Sequence, residues 1–80
     1  MLVTRWKEPV MIQIGSGTSR VAGPFEAIIH MMENWPRRTD PKFLCASIAC
    51  KAAVAGRINA EEARRDFLAA AQEADLYRQR

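Results

Sequence analysis

The sequence is short of the residues that mark several large protein classes. Its 80 residues include two cysteines, Cys45 and Cys50, which are too few for the disulfide framework of a small secreted domain. No apolar segment reaches the roughly eighteen residues that span a membrane. The first ten residues lack the apolar run and small-residue cleavage site of a signal peptide. We therefore expect a cytoplasmic protein that does not bind membranes.

Catalytic and metal-binding motifs are also missing. Neither the G-x-x-x-x-G-K-[ST] phosphate loop nor the G-x-S-x-G nucleophile motif occurs. Cys45 and Cys50 lie in one predicted helix, about 7.5 Å apart along its axis, which is too far for a disulfide without backbone movement. With His30 they supply one ligand fewer than a closed zinc site needs. We predict no catalytic residue, metal, cofactor or small-molecule substrate, and we expect both cysteines to be small buried hydrophobic residues.

A cysteine–histidine nucleophilic pair is the main enzymatic alternative. On its predicted helix, His30 lies beside Glu26 and Glu33 and is expected to point to solvent. Cys50 instead shares an apolar face with Phe43. Because the two side chains would meet different environments, an enzyme with an unrecognised site ranks third among our hypotheses.

Composition favours one small globular domain over residues 1–80. Hydrophobic residues make up 49% and charged residues 26% of the chain, which is typical of a folded domain. A chain of this length buries only about 60% of its unfolded surface and is marginally stable alone. The net charge of +3 permits contact with nucleic acid without arguing strongly for it.

A β-hairpin is predicted at about residues 6–22. Val10, Ile12 and Ile14 fall on one face and Met11 and Gln13 on the other, which is the pattern of a half-buried strand. The following G-S-G-T can form a tight connection, after which the chain can return antiparallel. Pro9 cannot donate to a ladder, so the first strand is expected to have an open edge there.

The first helix is predicted at about residues 24–35. Gly23 and Pro24 suit its start, because a proline at the first helical position loses no hydrogen bond. Pro36 disfavours helical geometry at the preceding residue and should end the helix. Five apolar residues recur at helical spacing and are expected to form its buried face: Phe25, Ile28, Ile29, Met32 and Trp35.

Two further helices are predicted at about residues 41–55 and 60–77. Asp40 and Asn59 are suitable N-caps, and Gly56 suits the end of the second helix. That helix is apolar almost all round, which is typical of a central, buried helix. The third helix has one small apolar face, formed by Ala63, Phe67, Ala70, Ala71 and Ala74. The predicted fold is α+β, an N-terminal two-stranded antiparallel hairpin packed against three helices in the order β-β-α-α-α.

Basic and aromatic residues provide the candidate binding positions. Arg37 and Arg38 precede the N–H groups that begin the second helix and could hold an anion there. Trp6 and Trp35 could stack on bases, but such residues more often cover the ends of a small core. The candidate anion or nucleic-acid contacts are Arg37, Arg38, Lys42, Arg57, Arg64 and Arg65.

Several short motifs occur in an order that resembles a known family. They are W-x-x-P-V at Trp6–Val10, the G-x-G turn, E-A at Glu26–Ala27, W-P at Trp35–Pro36, F-x-x-A-x-x-x-C at Phe43–Cys50, Gly56, A-R-x-x-F at Ala63–Phe67 and A-A-x-E-A at Ala70–Ala74. The chain looks like the short proteins catalogued as domain of unknown function 982, found mainly in rhizobial and related bacteria. The resemblance implies a small, stand-alone cytoplasmic bacterial protein and carries no activity, cofactor or catalytic residue.

The sequence leads to three functional hypotheses. The first is a non-enzymatic interaction module whose partner is itself or another protein, because the second helix has more apolar surface than its neighbours readily cover. Pairing of hairpin edges across a two-fold axis would extend the sheet and bury that surplus. The second is a nucleic-acid-binding accessory protein that uses the six basic residues, and the third is the enzyme considered above.

Overall fold

The computed structural model describes residues 5–14, 17–33, 35–36 and 39–77. The elements are β1 (Val10–Ile14), β2 (Gly17–Val21), α1 (Pro24–Glu33), α2 (Pro41–Val54) and α3 (Ala60–Glu73). The predicted α+β fold of a hairpin followed by three helices is confirmed. The buried hydrophobic side chains of the described residues form one cluster, while the domain extent of 1–80 stays a prediction.

The two strands pair antiparallel, from Val10 opposite Val21 to Ile14 opposite Gly17. Val10, Ile12 and Val21 are buried, because alternate residues of a strand point to the same face of the sheet. The strands are shorter than the predicted hairpin, whose turn residues 15 and 16 lie outside the described part. Trp6 precedes β1, and its backbone N–H donates to the carbonyl of Ala22 at 2.8 Å.

The buried face predicted for α1 is wrong for three of its five members. The helix buries Pro24, Ala27 and Met31; Trp35, which follows α1, is buried as expected. Helix α1 packs against both α2 and α3, and the small side chain of Ala27 lets the helices approach closely. This packing covers only one of the apolar stripes of α1. The members left exposed are Phe25, Ile29 and Met32.

Helix α2 lies in the middle of the helical layer, as predicted, and packs against both α1 and α3. Its N-cap is Asp40, whose carboxylate accepts a hydrogen bond from the N–H of Lys42 at 2.8 Å. Pro41 follows at the position where its missing N–H has no cost. Gly56 has a φ of 80°, a left-handed conformation that glycine adopts without strain and that ends the helix.

Helix α3 begins after Asn59, whose side-chain oxygen accepts a hydrogen bond from the N–H of Glu61 at 2.8 Å. It ends at Glu73, four residues before the predicted end. The chain turns at Asp75, which has a φ of 61°, and the N–H of Leu76 bonds back to the carbonyl of Ala71 at 2.8 Å. The predicted apolar face is confirmed for Ala63, Phe67, Ala70 and Ala71, all of which are buried.

Aromatic rings connect the N-terminal segment to the helices. The ring of Phe67 lies 5.6 Å from that of Trp6 and 5.5 Å from that of Trp35, and Phe43 lies 5.9 Å from Trp35. Both tryptophans are only 5% exposed. Their role in the core is therefore confirmed, and burial excludes them as stacking platforms for bases.

Candidate interaction surface

The predicted basic residues do not all lie together. Arg37 and Arg38 lie outside the described residues. Lys42 is exposed in the first turn of α2. It borders a depression together with Cys45 of α2 and Asp66 of α3. The acidic side chain of Asp66 therefore lies close to Lys42, which is the one described cation at this end of α2.

Arg57 follows the C-terminal end of α2, whereas Arg64 and Arg65 lie in the first half of α3, which the short α2–α3 connection makes antiparallel to α2. The 14 residues of α2 rise about 21 Å, which separates Lys42 from Arg57. Arg65 directly precedes Asp66, which borders the same depression as Lys42. The Nε of Arg64 donates to the carbonyl of Glu8 at 2.9 Å, so Arg64 has a structural role. Arg64 and Arg65 border a depression that they share with Asn59, Glu61 and Glu62.

The two cysteines differ in environment, and both are free thiols. Cys45 is exposed, so its predicted burial is wrong: it borders an open depression between α2 and α3 rather than the core. Cys50 is buried as predicted. Burial, with a smaller contribution from the charge of Asp66, raises the pKa of Cys50 to about 12. A thiolate nucleophile at Cys50 is therefore strongly disfavoured near neutral pH.

His30 does not point freely to solvent as predicted. Its side chain is half-buried, and its Nδ1 atom is buried without a hydrogen-bond partner among the described residues. The prediction was wrong because α1 presents a different face to the core than its strongest apolar stripe suggested. Within the described part of the chain no group of three or more histidine, cysteine or acidic side chains is suited to hold a metal ion.

None of the helices that the structure describes is both long and apolar enough to cross a membrane. Large apolar side chains are nevertheless exposed on α1 and α2. Met32 is 65% exposed on α1, and Ile48 is 69% exposed on α2. We call this surface the helical face and define it by Phe25, Ile29, Met32, Leu44 and Ile48.

A groove joins the two halves of the helical face. Ile28 and Met32 line it from α1, and Leu44, Ser47 and Lys51 line it from α2. Met32 and Leu44 belong both to the groove and to the exposed set. The apolar surface is therefore continuous from one helix to the other.

Charged residues of opposite sign border the two halves of the helical face. Glu26 and Glu33 are exposed on α1, one position after Phe25 and Met32 respectively. Lys51 and Arg57 are exposed at the C-terminal end of α2 and border a depression that includes Ile48. The α1 side of the surface is therefore acidic and the end of the α2 side is basic.

The uncovered apolar surplus on α2 was predicted from the sequence, but the exposed stripe on α1 was not. A signal was present, since Ala27 and Met31 form a second apolar stripe beside that of Phe25, Ile29 and Met32. A helix with two apolar stripes at the edge of a small domain leaves one of them uncovered. Only the packing of α1 against α2 and α3 decided which one.

Comparison with known proteins identifies relatives but no activity. A family model described as "Protein of unknown function (DUF982)" matches residues 8–77. The NMR structure of the Agrobacterium tumefaciens protein Atu1219 is similar, with a TM-score of 0.79 and 29% sequence identity, over 96% of this chain and 78% of that chain. No curated protein matches.

Proposed function

The chain belongs to the DUF982 family of proteins of unknown function, and we propose that it is a non-enzymatic interaction module that self-associates. The observation that carries this proposal is the helical face. A continuous surface of five large exposed apolar side chains is often an interaction site, because water contact with such a patch is unfavourable. Association with a second copy removes that contact.

The hydrogen bonds of the hairpin bear on how the copies could associate. The N–H of Gln13 in β1 donates to the carbonyl of Leu76 at 2.8 Å, so the segment after α3 occupies part of the outer edge of β1. Pro9, just before β1, has no N–H to offer. Sheet extension through β1, which is one form of the predicted pairing of hairpin edges, therefore has little free edge to use.

Sedimentation equilibrium tests the proposal directly. The average mass should rise from the 9.0 kDa monomer towards twice that value as the protein concentration increases. Apolar association should persist as salt is raised, because it does not depend on charge alone. A monomer mass at every concentration from micromolar to millimolar would contradict the proposal.

Nucleic-acid binding is the second candidate, supported by the net charge of +3 and the exposed side chains of Lys42, Arg57 and Arg65. Binding through phosphate contacts should weaken steeply as salt rises. Fluorescence anisotropy with a labelled oligonucleotide at two salt concentrations tests this. Absence of binding at low salt would eliminate the candidate.

The proposal of a non-enzymatic role is supported by the raised pKa of Cys50, which keeps its thiol protonated. A broad substrate screen tests it, since turnover lost in Cys50→Ala or His30→Ala would instead indicate an enzyme. A cytoplasmic location is also part of the proposal. The two free thiols suit a reducing compartment, and cell fractionation tests the location.

A further inference from the structure

We propose that the helical face is an isologous interface in which α1 of each copy packs against α2 of the other. The inference rests on the proposed self-association and specifies its surface. The occupant of the groove between α1 and α2 is then the same face of a second copy, related by a two-fold axis. Two independent features support this choice, the size of the apolar patch and the distribution of charge around it.

The size of the helical face fits the apolar part of a standard protein interface. Its five side chains are between 39% and 69% exposed, and at roughly 150–200 Å² for each fully exposed large side chain they present on the order of 500 Å². A standard interface buries roughly 800 Å² per partner, of which about 60% is apolar. The exposed apolar area is thus similar to the apolar area that one partner contributes to a standard interface.

The charge distribution favours a second copy over a partner of uniform charge. The α1 side carries Glu26 and Glu33, while the α2 side ends in Lys51 and Arg57. A surface that is acidic on one half and basic on the other is complementary to itself when each half meets the opposite half. A uniformly acidic or basic partner would meet like charge on one half.

A two-fold axis along the groove provides this arrangement. The helices α1 and α2 pack together and are joined by a short connection, so they run antiparallel. The start of α1, with Glu26, therefore lies at the same end of the face as Lys51 and Arg57. Rotation about an axis parallel to the helices keeps these levels, so the start of α1 in one copy, with Glu26, lies against the end of α2 in the other.

Two apolar substitutions test the location of the interface by sedimentation equilibrium. Ile48→Lys places a charge on the α2 half of the helical face, where it would be desolvated in the interface, and should weaken self-association at least about tenfold. Ile48 is exposed and lysine is a good helix former, so the variant should fold. Met11→Lys is the matched control, because Met11 is exposed on β1 and away from the helical face.

Charge reversal tests the pairing of the two halves. Lys51→Glu and Glu26→Lys should each weaken self-association, because like charges then meet across the interface. An equimolar mixture of the two variants should restore self-association. In the mixed dimer both charges of one contact are exchanged, so opposite charges still meet, and the other contact is the native one. Glu26→Gln is the control. It removes the charge but retains a side-chain oxygen that can accept the hydrogen bond from the N–H of Ala22, which is 3.2 Å long.

The outcomes distinguish a wrong interface from an absence of self-association. Loss of association in Ile48→Lys but not in Met11→Lys, with recovery in the charge-reversed mixture, supports the interface. If the protein self-associates but Ile48→Lys does not weaken it, or the mixture does not recover, the interface is wrong and self-association stands. If the unmodified chain remains a monomer at all concentrations, both are wrong. Circular dichroism of each variant verifies that it is folded.

Discussion

The indole N–H of Trp6 donates a hydrogen bond of 2.8 Å to the backbone carbonyl of Ala60, 54 residues later. This contact ties the segment before β1 to the first turn of α3. The ring of Trp6 also packs against Phe67 in the same helix. The segment before β1 and helix α3 are therefore held together by one buried side chain.

Replacing Trp6 with phenylalanine should lower the free energy of unfolding by about 1–3 kcal/mol, because an aromatic ring remains but the hydrogen bond to Ala60 is lost. Urea denaturation followed by circular dichroism measures the change. Lys7→Ala is the control, since the side chain of Lys7 is exposed and its substitution should have little effect. Equal stability of Trp6→Phe and the unmodified chain would show that the hydrogen bond contributes nothing.

The two N-caps should contribute independently. Asp40→Ala and Asn59→Ala each remove an acceptor for a helix N–H and should each cost about 1 kcal/mol. The caps begin antiparallel helices at opposite ends of the helical layer, so the double variant should show the sum. Chemical denaturation measures all three variants, with Gln72→Ala in the exposed part of α3 as the control. A double variant no less stable than either single variant would contradict independent capping.

The backbone N–H of Gln13 should exchange with solvent at least about tenfold more slowly than that of Met11. Alternate residues of an edge strand direct their N–H groups outward, and Gln13 donates to Leu76. Met11 lies two residues earlier on the same outer edge. Hydrogen exchange followed by NMR measures both rates.

Removal of the residues after Ala74 deletes the carbonyl of Leu76, so the difference between the two exchange rates should disappear. A difference that survives the truncation would mean that another group protects Gln13. The same truncated chain also frees the edge of β1, which permits a comparison of its self-association with that of the full chain.

Stability should fall in alkaline solution because of Cys50. Its pKa is raised to about 12 in the folded state, whereas an unperturbed thiol ionises near about 8.5. Between these values the unfolded chain loses the proton and the folded chain keeps it, so rising pH favours unfolding. The contribution is absent below about pH 8 and approaches about 1.4 kcal/mol per pH unit above about pH 9.5.

Urea denaturation at pH 7.5 and pH 10 measures this effect. The stability of Cys50→Ala should decrease less between the two pH values than that of the unmodified chain. Cys45→Ala is the matched control, because Cys45 is exposed, and it should behave like the unmodified chain. An identical pH dependence of Cys50→Ala and the unmodified chain would show that the thiol of Cys50 is not held protonated by the fold.

Local signals in the sequence determined the elements and their starts. The alternation of Val10, Ile12 and Ile14 required a strand, and the caps Asp40 and Asn59 mark two helices correctly, because such features act over a few residues of chain. The order of the short motifs in the sequence also predicted the family, and the family match confirms this prediction.

Only the tertiary structure decided which apolar surfaces are covered. Phe25 and Met32 look like core residues in the sequence, yet Ala27 and Met31 occupy the core instead. The end of α3 likewise depends on Leu76 reaching β1 through a hydrogen bond to Gln13. Burial is set by which helices approach one another across long sequence separations, and the periodicity of a single helix holds no information about the position of its neighbours.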